Sequence, residues 1–336
     1  MIRLGIVGAG SIIPAHLQAA SLSGFVPVAI CGKENSERAK MLSKENTELK
    51  YTKNVESLLD VELDALLIAT TPDATIPIIK KCLSKRVPIL VEKPVGISLE
   101  DFSSLDEVLY SDIMVAFNRR FYSAVQQFKS ILQNSEAGLI QINIPELSWI
   151  KSPSKEQQVK MLFENSVHMF DLVNFLFEGV SISEVARLNS RDESNFQIAS
   201  IRTRNGSIGT ISLGFGTPDN LSIKVWTNGE VLELLPIEKF SRYTELEIER
   251  DTEPGKFKVY NKRDTSNWKI SEFDLMAKPG FLKQYSAFGD KVTGNSANKT
   301  SANIWDAIRA IEMANSFCGN DSIQDNTSEE LFKQFP

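Results

Sequence analysis

Short apolar runs alternate with amphipathic stretches over the first third of the chain. The runs predict buried strands at Ile2–Val7, Val26–Cys31, Ala65–Ala69, Pro88–Val91 and Met114–Phe117. The amphipathic stretches predict helices that include Asn35–Leu42, Ile76–Leu83 and Leu99–Leu109. Strands and helices that alternate in this way predict a parallel, doubly wound sheet with right-handed crossovers.

The pattern changes after about Arg120. Helical periodicity follows at Tyr122–Leu132, Val159–Phe177, Phe281–Val292 and Ser301–Phe317. Strand-like runs occur at Leu139–Ile144, Ser207–Leu213, Leu221–Thr227 and around Leu246 and Ile248. The pairs Asn205-Gly206 and Asn228-Gly229 are signals for hairpin turns. We therefore predict an α/β chain with a parallel-sheet domain over residues 1–120 and an α+β domain with a large, mostly antiparallel sheet over residues 121–336.

The composition narrows the class of partner. The 336 residues are 42% hydrophobic and 24% charged, as in globular proteins, and the net charge of −6 argues against nucleic acid or an anionic membrane as the partner. No apolar run approaches the length of a membrane span, and the first residues predict a strand rather than a signal peptide. Cys31, Cys82 and Cys318 lack metal-ligand spacing and fit reduced thiols in a cytoplasm, so we expect them to form neither a disulfide frame nor a zinc site.

A glycine loop follows the first strand directly. Gly8 allows a tight turn, and Gly10 lets the backbone approach a pyrophosphate at the start of the next helix, where Ser11 and Ile12 lie. Ile13 stands where the dinucleotide fingerprint has its third small residue. We therefore expect residues 1–120 to form a Rossmann domain that binds a dinucleotide.

The ends of two further strands bear on the cofactor. The second strand ends in Gly32 and Lys33 instead of the acid that binds the ribose of NAD, which favours NADP over NAD. The alternative is that Lys33 is a solvated loop lysine and Glu34 reaches the ribose. The segment from Thr70 through Thr71 to Pro72 follows the next predicted strand and is expected to face the cofactor, unless its threonines only cap the following helix.

The tripeptide Glu92-Lys93-Pro94 ends the apolar run before it. In open α/β sheets, ligands bind in the crevice beyond the carboxyl ends of the strands. The position therefore predicts that Lys93 stands at the rim of the cofactor cleft.

Glu164, His168 and Asp171 are spaced to share one helix face if the segment is helical throughout. A carboxylate beside an imidazole orients it and raises its basicity, as a general acid–base requires. A surface ion pair and a divalent metal site remain the alternatives at this point.

Together these motifs resemble the Gfo/Idh/MocA family of NAD(P)-dependent oxidoreductases, which includes glucose–fructose oxidoreductase and inositol dehydrogenase. The resemblance rests on Gly8-Ala9-Gly10, Thr71-Pro72, Glu92-Lys93-Pro94, Phe117-Asn118-Arg119-Arg120-Phe121 and the helix from Glu164 to Asp171. It implies hydride transfer between nicotinamide and a secondary alcohol or ketone of a sugar, cyclitol or nucleotide sugar. The alternatives within the family are an NAD-dependent glycoside hydrolase and a non-catalytic dinucleotide-binding sensor.

The resemblance also implies roles for single residues. Lys93 would bond the reacting oxygen, His168 would move its proton, and Glu164 would pair with His168 in place of the usual aspartate. Glu92 and Asn118 would lie on the cofactor side, and Arg119 and Asp171 on the substrate side. His16 also matches a recurrent position and is expected to be structural or near the pyrophosphate. Family members commonly form homodimers or homotetramers, for which the sheet face bearing Trp226 is the candidate surface.

Overall fold

The computed structural model describes residues 1–107, 110, 112–146, 153–188, 196–249, 259–295 and 298–318. The chain divides into two compact units. The first unit comprises Met1–Tyr122, Phe170–Leu172 and Ser271–Glu312. The second comprises Ser123–Met169, Val173–Ile270 and Met313–Pro336.

The first unit contains a six-stranded sheet in which all the paired strands are parallel, in the order β3-β2-β1-β4-β5-β6. The strands are β1 Ile2–Val7, β2 Phe25–Cys31, β3 Lys50–Tyr51, β4 Ala65–Ile68, β5 Ile89–Val91 and β6 Ile113–Val115. The helices between them are α1 Ile13–Leu22, α2 Glu37–Glu45, α3 Val55–Leu59, α4 Pro72–Cys82 and α5 Leu99–Ser103, with 3₁₀ turns at Leu83–Lys85 and Asn118–Phe121. This order of elements confirms the predicted doubly wound parallel sheet.

The core of the first unit also takes in helices from late in the chain. The unit includes α9 Glu272–Met276, α10 Phe281–Val292 and most of α11 Ile304–Cys318. The ring of Phe25 on β2 stacks on Phe288 of α10, with 5.6 Å between centroids. Phe281 and Tyr285 of α10 join the same buried cluster as Leu4 and Ile6 of β1.

The second unit is built on an eight-stranded sheet in the order β14-β13-β12-β11-β7-β10-β9-β8. Its strands are β7 Leu139–Glu146, β8 Val180–Arg187, β9 Phe196–Thr203, β10 Ile208–Phe215, β11 Ser222–Thr227, β12 Glu230–Leu234, β13 Phe240–Glu249 and β14 Val259–Asp264. Among the described strands of this second sheet, only β7 and β10 pair in parallel, which confirms a mostly antiparallel sheet. The helices are α6 Ser123–Leu132, α7 Lys155–Met161 and α8 Val167–Phe177.

Both predicted hairpins are present. Strands β9 and β10 flank Asn205-Gly206, and strands β11 and β12 flank Asn228-Gly229. The glycines have φ angles of 89° and 82°, in the left-handed region that these tight turns require.

Some predicted boundaries were wrong. The helix predicted for Val159–Phe177 is divided by a π-helical turn at Leu162–Ser166. The helix predicted to begin at Leu99 ends at Ser103, and its last two predicted residues, 108 and 109, lie outside the described residues. Strand β6 ends at Val115, although the amide of Ala116 still donates to Val91 O at 2.8 Å. The amides of Phe117 and Asn118 then turn back to Val115 O and Ala116 O, at 2.8 and 3.0 Å.

The division into domains also differs from the prediction. The first boundary falls after Tyr122 rather than after residue 120. Residues Ser271–Glu312, which the sequence pattern placed in the second domain, cluster with the first unit. The reason is packing: α10 carries large apolar side chains that cover α1 and β2.

Candidate active site

The glycine loop after β1 has the geometry that the fingerprint predicts. Gly8 has a φ of 118°, and a Cβ there would lie 2.0 Å from the carbonyl oxygen of Ala69. Its amide donates to Cys31 O at 2.8 Å, so the turn is held against the end of β2. Only glycine fits this position, because both the backbone conformation and the close approach exclude a side chain.

The start of α1 is open to an anion. A Cβ built on Gly10 would meet nothing within 4 Å. Ile12 occupies the N-cap and makes no side-chain cap hydrogen bond. The amides of Ile13 and Ala15 donate to Gly10 O at 3.2 Å and to Ile12 O at 3.1 Å, and Pro14 has no amide proton. The amides of the loop from Gly10 to Ile12, with free space above Gly10, therefore fit the pyrophosphate of a dinucleotide. Ile13, the departure from the fingerprint, is fully buried and packs into the core instead.

The end of β2 carries a cation rather than an acid. Gly32 lies close to Ser36, where a Cβ would meet the serine side chain at 2.7 Å. Glu34 lies 3.6 Å from Lys53 in an exposed ion pair. A hydrogen bond from the Thr71 hydroxyl lowers the pKa of Asp73 on α4, and the positive charge of Lys33 lowers it further.

The threonines after β4 take part in the start of α4. Thr71 is the N-cap residue and Pro72 the first residue of the helix. The hydroxyls of Thr70 and Thr75 lie 3.0 Å apart, and the latter donates to the carbonyl of Thr71 at 3.0 Å. Thr70, Thr71 and Pro72 therefore shape the helix start at the carboxyl edge, and their contact with a cofactor stays a prediction.

At the end of β5, Glu92 and Lys93 follow the strand directly, and the Lys93–Pro94 peptide is cis. The amide of Glu92 donates to Ile68 O at 2.8 Å, which continues the pairing with β4. One carboxylate oxygen of Glu92 lies 2.8 Å from His16 Nε2, and the other accepts from the amide of Lys93 at 3.1 Å. The contact of Glu92 with the cofactor stays a prediction.

Asn118 begins the 3₁₀ turn after β6 and is buried. Its side-chain amide donates to Pro279 O at 3.0 Å, which ties the turn to the start of α10. Gly280 meets the same turn, because a Cβ there would lie 2.2 Å from Asn118 O. Arg119, the next residue of the turn, is partly exposed, and its substrate contact stays a prediction.

Asp171 is occupied by an ion pair inside the first unit. Its two carboxylate oxygens accept from Arg120 Nη2 at 2.5 Å and Nε at 2.9 Å. Arg120 also lies 3.2 Å from Asp306 on α11. Burial alone would lower the pKa of Arg120, but the two carboxylates raise it. Asp171 is 0% exposed and both of its carboxylate oxygens are bonded to Arg120, so it is not part of the proposed substrate site.

In the second unit, His168 is half-buried in the first turn of α8. The π-helical turn directly before it breaks the regular spacing that the predicted Glu164–His168–Asp171 face requires. Glu164, within that turn, is exposed and lies 3.7 Å from Lys160. The pairing of Glu164 with His168 stays a prediction.

The sequence reasoning missed a carboxylate that holds this turn. Glu146, at the end of β7, is 6% exposed. Ser166 donates to its Oε1, and Asn165 donates to its Oε2 at 3.2 Å. The signal was present in the alternation of β7, because Glu146 falls in register with the inward-facing Ile142 and Ile144. Ser166 supplies the hydroxyl of this contact.

The fold and the open glycine loop define the class: a two-unit chain with a dinucleotide-binding first unit. Residues 2–117 match the model of the oxidoreductase family with an NAD-binding Rossmann fold, GFO_IDH_MocA. The match confirms the resemblance drawn from the motifs: the first unit is similar to the dinucleotide-binding domain of Gfo/Idh/MocA oxidoreductases. No helix in the described part of the chain combines the length and the apolar character that a membrane crossing needs.

Similar proteins include sugar and cyclitol dehydrogenases. The chain is 28% identical over 205 residues to glucose-6-phosphate 3-dehydrogenase of Bacillus subtilis, a match that covers 56% of this chain and 57% of that protein. It is 20% identical over 230 residues to myo-inositol 2-dehydrogenase of Thermotoga maritima, covering 62% and 67%. The chain thus spans little more than half the length of the first of these relatives.

A solved structure extends the likeness of fold to the second unit. It is UDP-N-acetylglucosamine 3-dehydrogenase GnnA from Acidithiobacillus ferrooxidans, with a TM-score of 0.72 at 13% identity. The superposition covers 93% of this chain and 95% of that one. At this identity the likeness shows the fold alone.

Proposed function

We propose that this protein is an NAD(P)-dependent oxidoreductase that transfers hydride between nicotinamide and a secondary alcohol or ketone of a sugar, cyclitol or nucleotide sugar. One observation carries the proposal. The carboxyl edge of the parallel sheet presents an open glycine loop, an uncapped helix start and, two strands away at the end of β5, Lys93. In open α/β sheets this edge is where the ligand binds.

The residues of the first unit fit a dinucleotide. The amides of Gly10, Ser11 and Ile12, directly before α1, would hold the pyrophosphate. Gly32 and Lys33 would meet the adenosine ribose, and Thr70, Thr71, Pro72 and Asn118 would border the remainder of the cofactor. When bound, the nicotinamide ring supplies the site that accepts or donates hydride.

Lys93 and His168 are assigned to the reacting oxygen. Lys93 donates a hydrogen bond to that oxygen and stabilises the negative charge that develops on it. His168 takes the hydroxyl proton in oxidation and returns it in reduction, as an imidazole can near neutral pH. Arg119 is assigned to the substrate, and Glu164 remains a predicted partner of His168.

The substrate class is supported by the names of the similar proteins. The relatives similar in sequence are dehydrogenases of a sugar phosphate and of an inositol. These molecules share a ring of secondary hydroxyls, so the proposed substrate is defined by that group and not by one compound.

The test is turnover of a panel of sugars, sugar phosphates, inositols and nucleotide sugars, followed by cofactor absorbance. We expect Lys93→Met and His168→Ala each to lower kcat by about 100-fold or more, as for removal of one oxyanion donor or one general acid–base. Binding of NADPH, measured by fluorescence, should change little. Lys80→Met is the matched control, because Lys80 is an exposed lysine of α4.

Three results would contradict the proposal. Full turnover in both variants would refute the mechanism. Glycosidic cleavage without net change in cofactor absorbance would indicate a hydrolase. Tight cofactor binding without turnover of any panel member would indicate a sensor.

For the cofactor we propose a preference for NADP. The support is the cation Lys33 at the end of β2 and the pairing of Glu34 with Lys53, which occupies the acid nearest in sequence. A hydrogen bond to a charged group contributes about 1.5–3 kcal/mol, so Lys33→Met should lower the NADP-to-NAD ratio of kcat/KM by roughly tenfold or more. An unchanged ratio would refute the assignment.

We further propose that the protein is a homodimer or homotetramer in the cytoplasm. All three cysteines are free, which supports a reducing compartment. The open face of the eight-stranded sheet supports association. It carries Trp226 and four apolar side chains that are 46–51% exposed, namely Leu139, Phe196, Ile198 and Ile208. Light scattering should show a smaller particle for Ile198→Lys than for Leu22→Lys, which alters an equally exposed residue of the first unit.

A further inference from the structure

A chain of hydrogen bonds leads from a buried histidine to the residue that precedes Lys93. His16, on α1, is 0% exposed. Its Nδ1 lies 3.0 Å from the hydroxyl of Tyr285 on α10, and its Nε2 lies 2.8 Å from Glu92 Oε1. The second oxygen of Glu92 accepts from the amide of Lys93 at 3.1 Å. The carboxylate of Glu92 thus joins α1 to the end of β5, and α10 is linked to it through His16.

The hydrogen bonds from Tyr285 through His16 to Glu92 have one direction of donation in which every donor and acceptor has a partner. An ionised carboxylate only accepts, so the Nε2 of His16 must carry the proton that it shares with Glu92. A neutral imidazole then has a lone pair on Nδ1, which accepts from the hydroxyl of Tyr285. If His16 were doubly protonated, the buried hydroxyl proton of Tyr285 would lose this acceptor, a loss that is costly away from water.

The pKa shifts of Tyr285 and Glu92 agree with this direction of donation. Burial, and then the charge of Glu92, raise the pKa of Tyr285 well above its usual value, so its hydroxyl keeps the proton that it donates. Burial would raise the pKa of Glu92, but His16 and the charge of Lys93 lower it overall, so the carboxylate is ionised.

The aromatic rings around His16 and Tyr285 keep these hydrogen bonds rigid. The ring of His16 lies 4.9 Å from that of Phe281, and the ring of Tyr285 packs edge-on against Phe25 at 5.3 Å. Rings packed on several sides leave the imidazole little room to rotate. The carboxylate of Glu92 therefore has a fixed orientation, and with it the peptide that carries Lys93.

We propose that His16 and Tyr285 are positioning residues for Lys93: they orient Glu92, which fixes the main chain from which the lysine side chain projects. This inference rests on the proposed function of Lys93 at the reacting oxygen. It also assigns to Glu92 the support of Lys93 in place of a contact with the cofactor. A displacement of about 1 Å at a catalytic group can lower the rate by 100-fold, which is the size of effect expected here.

The experiment compares two replacements of one side chain. Glutamine can place its amide N–H where Nε2 of His16 lies, so His16→Gln keeps the donor to Glu92, whereas His16→Leu removes it. We expect His16→Leu to lower kcat by about 100-fold, with KM and NADPH affinity little changed. His16→Gln should retain most of the activity, although both variants lose the same ring packing and should melt at similarly lowered temperatures.

Two further variants separate positioning from stability. Tyr285→Phe leaves the donor to Glu92 but frees Nδ1 of His16, so its kcat should lie between those of the wild type and His16→Leu. Leu42→Ala creates a cavity in the same core, and it should lower the melting temperature without the loss of kcat. Equal kcat values for His16→Gln and His16→Leu would overturn the proposal, as would a loss of kcat that follows the melting temperature across the series.

A second measurement does not depend on turnover. The rate of reductive methylation of Lys93, followed by mass spectrometry, reports the environment of its amine. It should change in His16→Leu and remain near the wild-type rate in His16→Gln. If the wild type turns over no substrate but this pattern holds, the proposed function fails and the positioning of Lys93 stands. If the methylation rates of the two variants are equal, the positioning itself is refuted.

Discussion

The ion pair between Arg120 and Asp171 allows a sharp test of what holds the first unit together. The two side chains are 3% and 1% exposed, and two hydrogen bonds of 2.5 and 2.9 Å join them. Replacing Arg120 with methionine keeps the apolar stem but leaves the Asp171 carboxylate buried without its partner. Removing one partner of a buried pair costs about 3–5 kcal/mol.

The size of the effect follows from the size of the unit. For a unit of about 150–250 residues, each 1 kcal/mol shifts the melting temperature by about 2–4 °C, so Arg120→Met should lower it by about 6–20 °C. The double variant Arg120→Met with Asp171→Leu removes both charges, and replacing a buried pair by apolar groups is often neutral. It should therefore recover most of the loss. Asp306 keeps a second cation, Arg309, at 3.7 Å.

Calorimetry and urea titration measure these differences, with Arg263→Met as the control. Arg263 is 58% exposed and lies 3.5 Å from Glu245, and exposed ion pairs contribute only about 0–1 kcal/mol. The reasoning would be refuted if Arg120→Met were no more destabilising than Arg263→Met. A double variant less stable than Arg120→Met alone would also refute it, because the penalty would then not be the unpaired charge.

Three further predictions concern single sites. Gly8→Ala should lower both stability and cofactor affinity, because its φ of 118° and the nearby carbonyl exclude a Cβ, whereas Gly10→Ala should weaken NADPH binding with little change in melting temperature. Ser166→Gly and Glu146→Gln should each cost about 1–3 kcal/mol in urea titrations, since each disrupts a buried hydrogen bond that holds the π-helical turn. For Glu92, a pKa below its usual 4.5 means that the carboxylate stabilises the folded state above that pH and that this stabilisation is lost as pH falls through the lowered pKa. The difference in urea midpoint between wild type and Glu92→Gln should therefore shrink from pH 7 to pH 3, and a constant difference would contradict the ionised form.

The parallel sheet could be predicted from the sequence because each of its strands but one is a short run of branched apolar residues. The exception, β3 Lys50–Tyr51, is two residues long, and no periodicity identifies so short a strand. The hairpins were predictable since asparagine followed by glycine selects a left-handed turn locally. The packing of α10 in the first unit could not be predicted, because a helical pattern identifies one apolar face but not the element that this face covers.

The site shows the same division between local and distant causes. Gly8 and Lys93 could be placed from their own neighbours, because the end of a parallel strand is always at the ligand edge. The hydrogen bonds behind Glu92 could not be predicted: Tyr285 lies far along the chain, and the resemblance implied only that His16 is structural or near the pyrophosphate. Asp171 was misleading for a related reason, since helical spacing placed it with His168 while burial placed it with Arg120.

The hydrogen bonds of Glu92 suggest why a motif of three residues can be informative at all. The glutamate is ionised, its side chain is only 13% exposed and both of its oxygens are bonded, and such a group is costly unless every bond is made. Its partners therefore have to be supplied together, from α1 and from the backbone of the lysine that follows. Because the carboxylate is stable only when these hydrogen bonds are made, it holds the backbone of Lys93 in place. We therefore attribute the glutamate of the motif to the positioning of the lysine beside it.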